Sequence, residues 1–137
     1  MVQIINRQRK HKIREKHFRH LVSKLLSFYS LPKAEVSLVF TGNSSIKRLN
    51  RQFRKKDMPT DVLSFPMAEK GIDGQYYLGD IIISVPQAYF QCGRKESELE
   101  KELDRLIIHG FLHLLGYNHG SEMEKEAMKI KAYLRLK

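Results

Sequence analysis

The stretch from Leu106 to His119, L-I-I-H-G-F-L-H-L-L-G-Y-N-H, limits the possible folds more than any other part of the chain. Between Leu103 and Leu115 nearly every residue is apolar and none is proline, which predicts a helix buried on most of its circumference. Such a helix belongs at the centre of a domain, with other elements packed around it. His109 and His113 are four residues apart, so at about 3.6 residues per turn both imidazoles lie on one face, one turn apart. Gly116 offers a left-handed helix stop, and Tyr117 and Asn118 carry the chain round so that His119 can return to the same point. A single histidine on an apolar helix is usually a hydrogen-bonded core residue. Three from His109 to His119, in so hydrophobic a setting, are hard to satisfy without a shared ion. Neutral imidazole suits zinc, and three protein ligands with a fourth position left to water make a catalytic site rather than a closed structural one. His109, His113 and His119 are therefore the candidate ligands of one Zn2+ per chain.

The residue after the first histidine also matters. In H-E-x-x-H metalloproteases it is a glutamate acting as general base, and here it is Gly110, so the usual peptidase base is missing.

A chain of 137 residues is about one domain, large enough to bury a core without disulfides. Its single cysteine, Cys92, reads as a small apolar residue rather than a ligand. No apolar run reaches the roughly 18 residues of a membrane span, and the N-terminus lacks a secretory pattern, so the expected location is the cytoplasm. Lys and Arg total 25 against 15 Asp and Glu, a formal charge of +10, which points to a polyanionic partner: RNA, DNA or an anionic membrane. The excess is concentrated in residues 7–24, with eight cations against one Glu, and in residues 47–56, with six cations and no acid.

Along the chain, V-Q-I-I-N (residues 2–6) suits a strand. From about His11 to Tyr29 the apolar residues recur at helical spacing opposite a basic face, on which His11, His17 and His20 are expected to be solvated rather than metal-bound. Glu35 to Phe40 alternates as a half-buried strand, and T-G-N-S-S can cap a helix from about Ser44 to Phe53. V-L-S-F, stopped by Pro66, reads as a third strand, residues 67–77 as a mobile loop, and Leu78 to Val85 as a fourth strand. A short helix from Pro86 to Cys92, broken by Gly93, precedes the charged run that feeds the histidine helix. Ser121 to Leu136 forms the last helix. Four strands and several helices in mixed order make one α+β domain over residues 1–137.

Three stretches together resemble the YbeY family of bacterial rRNA maturation factors, which are metal-dependent endoribonucleases. The family signature H-G-x-L-H-L-x-G-Y-D-H is matched by H-G-F-L-H-L-L-G-Y-N-H, His109 to His119. L-N-R-Q-F-R-K-K-D-M-P-T-D-V-L-S-F-P, from Leu49 to Pro66, is similar to its second block, and L-G-D-I-I-I-S to its third. The resemblance implies zinc on His109, His113 and His119. It also implies a zincin-like fold in which the metal-binding helix packs on a four-stranded mixed sheet, and activity on single-stranded RNA in 16S rRNA 3′-end maturation and ribosome quality control. Ribosomal proteins are then expected partners. Asn118 stands where the family has Asp, a change able to alter metal affinity or its pH dependence.

The family pattern N-x-x-[YF]-R places an arginine at Arg54, and the chemistry agrees. Phosphodiester cleavage concentrates negative charge that a permanently charged, bidentate guanidinium can stabilise beside a metal. Arg54 and His113 are the candidate catalytic residues. Asp61 and Asp80 are candidates for orienting a histidine or water, although an Asp beside a strand is as often a turn or cap residue. Two other functions remain to be separated from this one: a non-catalytic, zinc-stabilised rRNA-binding assembly factor, and a zinc peptidase or amidase.

Overall fold

The computed structural model describes residues 1–55, 60–71, 74–118 and 120–136. Four segments form its sheet: β1 (Val2–Asn6), β2 (Glu35–Thr41), β3 (Val62–Lys70) and β4 (Tyr76–Ser84). Their order is β1-β2-β4-β3, with β1, β2 and β4 parallel and β3 antiparallel to β4. The helices are α1 (Glu15–Phe28), α2 (Asn43–Arg54), α3 (Val85–Gln91), α4 (Glu96–Leu114) and α5 (Ser121–Leu136). α4 packs on β3 and β4, α1 packs on β1 and α4, and α5 covers both helices. This is a single α+β domain with a mixed four-stranded sheet and a central helix.

The side-chain alternation of the strands decides which residues meet α4. Val36, Leu38 and Phe40 of β2 are fully buried, as are Ile81 and Ile83 of β4. The register aligns Leu38 with Ile81 and Ser64, and Phe40 with Ile83 and Val62, so these rows share the face under α4. Phe65 pairs with Asp80 and Leu63 with Ile82 on the opposite face. Phe53 packs against Phe65 there, ring centroids 5.4 Å apart, which brings the end of α2 to that side of β3.

Two glycines allow α4 and the sheet to close up. A Cβ on Gly110 would stand 2.8 Å from Ile81 Cγ2 and 3.1 Å from Ser64 Oγ, so a side chain at this helix position has no space. Gly79, at φ +150°, takes a backbone conformation that L side chains rarely adopt, and a Cβ there would meet Leu114 Cδ2 at 2.8 Å.

The structure departs from the sequence expectations in two elements. Pro66 does not stop β3, and most of residues 67–77 belongs to a hairpin rather than a loop. β3 continues to Lys70, with a register shift between Pro66 and Glu69 and Ala68 at φ 45°, and β4 begins at Tyr76. β3 is an edge strand, where a missing N–H is tolerated, and the bulge takes up the extra residue. The first helix starts at Glu15, not near His11, because the preceding segment is held by Gln8: its side chain accepts from the His11 N–H at 3.0 Å and donates to the His11 carbonyl at 2.7 Å.

Candidate functional site

A cleft of about 860 Å³ runs along the β3 edge. One wall is α4, through Arg105, Leu106, His109 and His113, with Asn118 just beyond it; the other is the end of α2, through Phe53 and Arg54. Val62 and Ser64 from one face of β3, and Leu63 and Phe65 from the other, line the same space. Both faces can do so because, among the described residues, no further strand pairs with this edge.

His109 and His113 are half-buried on adjacent turns of α4, with ring centroids 4.9 Å apart and planes inclined at 71°. The sequence spacing thus becomes two imidazoles on one cleft wall. His119 lies outside the described residues. Among the described residues no set of three His, Cys, Asp or Glu side chains comes together to hold a metal. Asn118, the residue before His119, lines the same cleft as the two histidines.

Arg54 is the last residue of α2, exposed, and followed by Lys55 in the left-handed conformation at φ 58°. That cap ends the helix at the cleft mouth, which sets Arg54 on the rim. Of the two carboxylate candidates, only Asp61 lines the cleft. Its Oδ1 accepts the Val62 N–H at 2.8 Å and its Oδ2 accepts from Gln91 Nε2 at 3.2 Å, so it caps the start of β3 and ties it to α3. Asp80 sits opposite Phe65 on the sheet face turned away from α4, and does not line the cleft with His109 and His113. The buried alternation of Ile81 and Ile83 was the signal for that placement, since it turns Asp80 outward.

Comparison with known proteins agrees with this architecture. The family model Endoribonuclease YbeY matches residues 3–136. The chain belongs to the YbeY endoribonuclease family. A YbeY endoribonuclease of Aquifex aeolicus is 40% identical over 133 residues, 96% of this chain and 88% of its own. One from Persephonella marina is 46% identical over 116 residues, covering 84% of this chain and 75% of its own. The solution structure of a Thermotoga maritima protein superposes with a TM-score of 0.62 at 30% identity, over 95% of this chain and 86% of the other.

Membership in the YbeY family, whose relatives are named as RNA-cleaving enzymes, gives the cations near the cleft a particular interest. Lys47, Arg48, Arg51, Arg54 and Lys55 are all exposed on or beside α2. The cations of α1 and its N-cap are partly committed elsewhere: Arg19 donates to the Val2 carbonyl, and Arg14 donates to both oxygens of Glu100, at 2.6 and 2.5 Å. Cys92 is half-buried, its thiol directed at the Tyr89 carbonyl at 3.3 Å.

The histidines near the N-terminus correct one expectation. His20 is exposed, but His11 is only 5% exposed, with Nδ1 2.5 Å from Glu96 Oε1 and its ring beside Tyr89. His17 Nε2 stands 2.9 Å from Asp104 Oδ1. With Arg14 and Glu100 they form a polar ladder joining α1 and its lead-in to α4. Burial raises the Asp104 carboxyl above its ordinary value, opposed by the hydrogen bond to His17. The Arg14 hydrogen bond holds the Glu100 carboxyl below its ordinary value. The acidic partners lie more than eighty positions away, so local periodicity could not reveal them.

Sequence reasoning also passed over Phe53, Phe65 and Arg105 as cleft residues. For two of them the signal was adjacency, because Phe53 precedes Arg54 and Arg105 lies one turn before His109.

Proposed function

We propose that the chain is a metal-dependent endoribonuclease acting on single-stranded RNA, with His109, His113 and His119 holding one Zn2+ and Arg54 serving the reacting phosphate. The observation that carries this reading is that His109, His113 and Arg54, distant in sequence, line one cleft. Two half-buried imidazoles on successive turns suit a metal that takes nitrogen donors, and Asn118, which lines the same cleft, immediately precedes His119 in the sequence. Bound there, zinc would supply Lewis acidity toward a phosphate oxygen.

The residues of the chain account for the rest. Arg54 presents a fixed fork of donors that can grip two non-bridging phosphate oxygens as their charge grows. Exposed cations along α2 draw the RNA backbone toward the rim. The crowded contact of Gly110 with Ile81 and Ser64 leaves no room for the glutamate that a peptidase of this helix type uses, which disfavours that chemistry. The family resemblance extends the proposal to 16S rRNA 3′-end maturation and ribosome quality control, in the cytoplasm and with ribosomal contacts, through a metal helix used in the zincin manner.

The test is metal analysis of purified protein combined with cleavage of a labelled single-stranded RNA, with His113→Ala as the blank for contaminating nucleases. Metal-dependent cleavage that disappears in the blank supports the proposal. Metal-loaded protein that binds RNA but never cuts above the blank favours the assembly-factor reading instead.

A further inference from the structure

Phe53 is 57% exposed although it stands on the buried stripe of α2, seven residues after Ile46, which is 0% exposed. The stripe begins in the core at Ile46 and ends at Phe53, which packs on Phe65 of β3 and lines the cleft. Phe65 braces it there edge-to-face, with an interplanar angle of 72°. Another exposed aromatic, Phe90 at 58%, already carries the Arg94 guanidinium 5.0 Å from its ring centre. Phe53 instead lies between an aromatic brace and the Arg54 that follows it, on the wall facing His109 and His113.

We infer that Phe53, braced by Phe65, is a stacking platform for one nucleobase of the RNA strand, next to the phosphate that Arg54 meets. This deepens the ribonuclease reading and rests on it. An exposed ring flanked by cations is the combination by which proteins hold single strands without reading their sequence: the backbone is attracted by charge and a base face by the ring. A base in a duplex already has both faces stacked, so it cannot be offered to Phe53 without being unpaired first. The platform therefore gives a physical origin for preferring single strands. Phe53 acts as a positioning residue. A base seated on it fixes where the next phosphate lies relative to Arg54 and the histidines.

The chain contains no tryptophan, so Phe53→Trp places a single indole at the platform. The full-length variant is titrated with a short single-stranded oligonucleotide, and with a strand of the same length and charge bearing abasic positions. The expected result is saturable quenching of the indole by the base-bearing strand, and binding on the order of tenfold weaker for the abasic strand. Phe53→Ala should lose a similar factor for the base-bearing strand and nothing for the abasic one, while Phe53→Tyr restores the difference. If both strands bind alike with salt-sensitive affinity and the indole emission does not change, the platform is wrong and the RNA reading stands. If wild-type protein binds neither strand, both fall together.

Discussion

Ser64 donates its hydroxyl to the carbonyl of Gly110 at 3.0 Å, tying the edge strand to α4 between the two turns that bear His109 and His113. The cleft floor and its histidine wall are thereby one packed unit, and substitutions at the junction should act on both.

Gly110→Ala tests that junction. The added methyl would stand 2.8 Å from a side-chain carbon of fully buried Ile81, and overpacking of this kind costs about 1–3 kcal/mol. Replacing glycine inside a helix returns up to about 1 kcal/mol. A net loss is expected, measured as a lower urea midpoint at unchanged slope. A variant as stable as wild type would mean that helix and strand are less tightly apposed than described.

Purified protein is expected to hold one divalent metal per chain, and His113→Ala to lose it. Zinc at a hundredfold excess over its dissociation constant should stabilise the wild type by about 2.7 kcal/mol and leave the variant's melting temperature unmoved. Wild-type protein indifferent to zinc in thermal melts would count against the site.

Arg54→Ala should lower the cleavage rate by roughly 10²–10³ with metal content unchanged and RNA affinity only slightly reduced, as expected of a group that acts on charge developing in the transition state. Lys55→Ala, at the cap that follows Arg54, should alter only binding. Equal, small binding defects in both variants, with no difference in turnover, would remove Arg54 from the chemistry.

RNA affinity should fall steeply with salt. If about six cations neutralise phosphates on a single strand, log K against log salt has a slope of roughly −4. The slope can be read from binding isotherms between low and physiological ionic strength, and a flat response would contradict electrostatic capture.

The Arg14 and Glu100 pair sets the sign of one pH effect. Glu100 titrates below its ordinary value of 4.5 in the fold, so its contribution to stability is complete above that pH and is lost as pH falls through the lowered value. The stability difference between wild type and Arg14→Ala should therefore be largest above pH 4.5 and shrink on acidification, followed by denaturant titration at each pH. Asp104 has the opposite sign. Its raised carboxyl contributes fully below 3.8 and loses that contribution as pH rises.

What could be read from the sequence follows the range of the forces involved. β2 and α5 carry their own periodicity and matched closely, and the four-residue spacing of His109 and His113 fixed their common face before any tertiary contact was known. Pro66 misled because its effect depends on whether a strand is at the edge, which only the sheet order decides. Asp61 and Asp80 look alike locally, and strand parity alone separates the one beside the cleft from the one behind the sheet. His11 and His17 drew their partners from α4, across a distance no local pattern encodes.

Because β3 lies at an end of the sheet, the cleft between α4 and the end of α2 runs along an outer margin of the described residues and not across the middle of the sheet. A polymer lying along such a margin can meet the histidine wall with the middle of its length, with no need for a free end to be presented. Cutting within a strand needs that kind of entry, whereas trimming from a terminus favours a closed tunnel. The position of one edge strand thus bears on which of these two operations the molecule is shaped to perform.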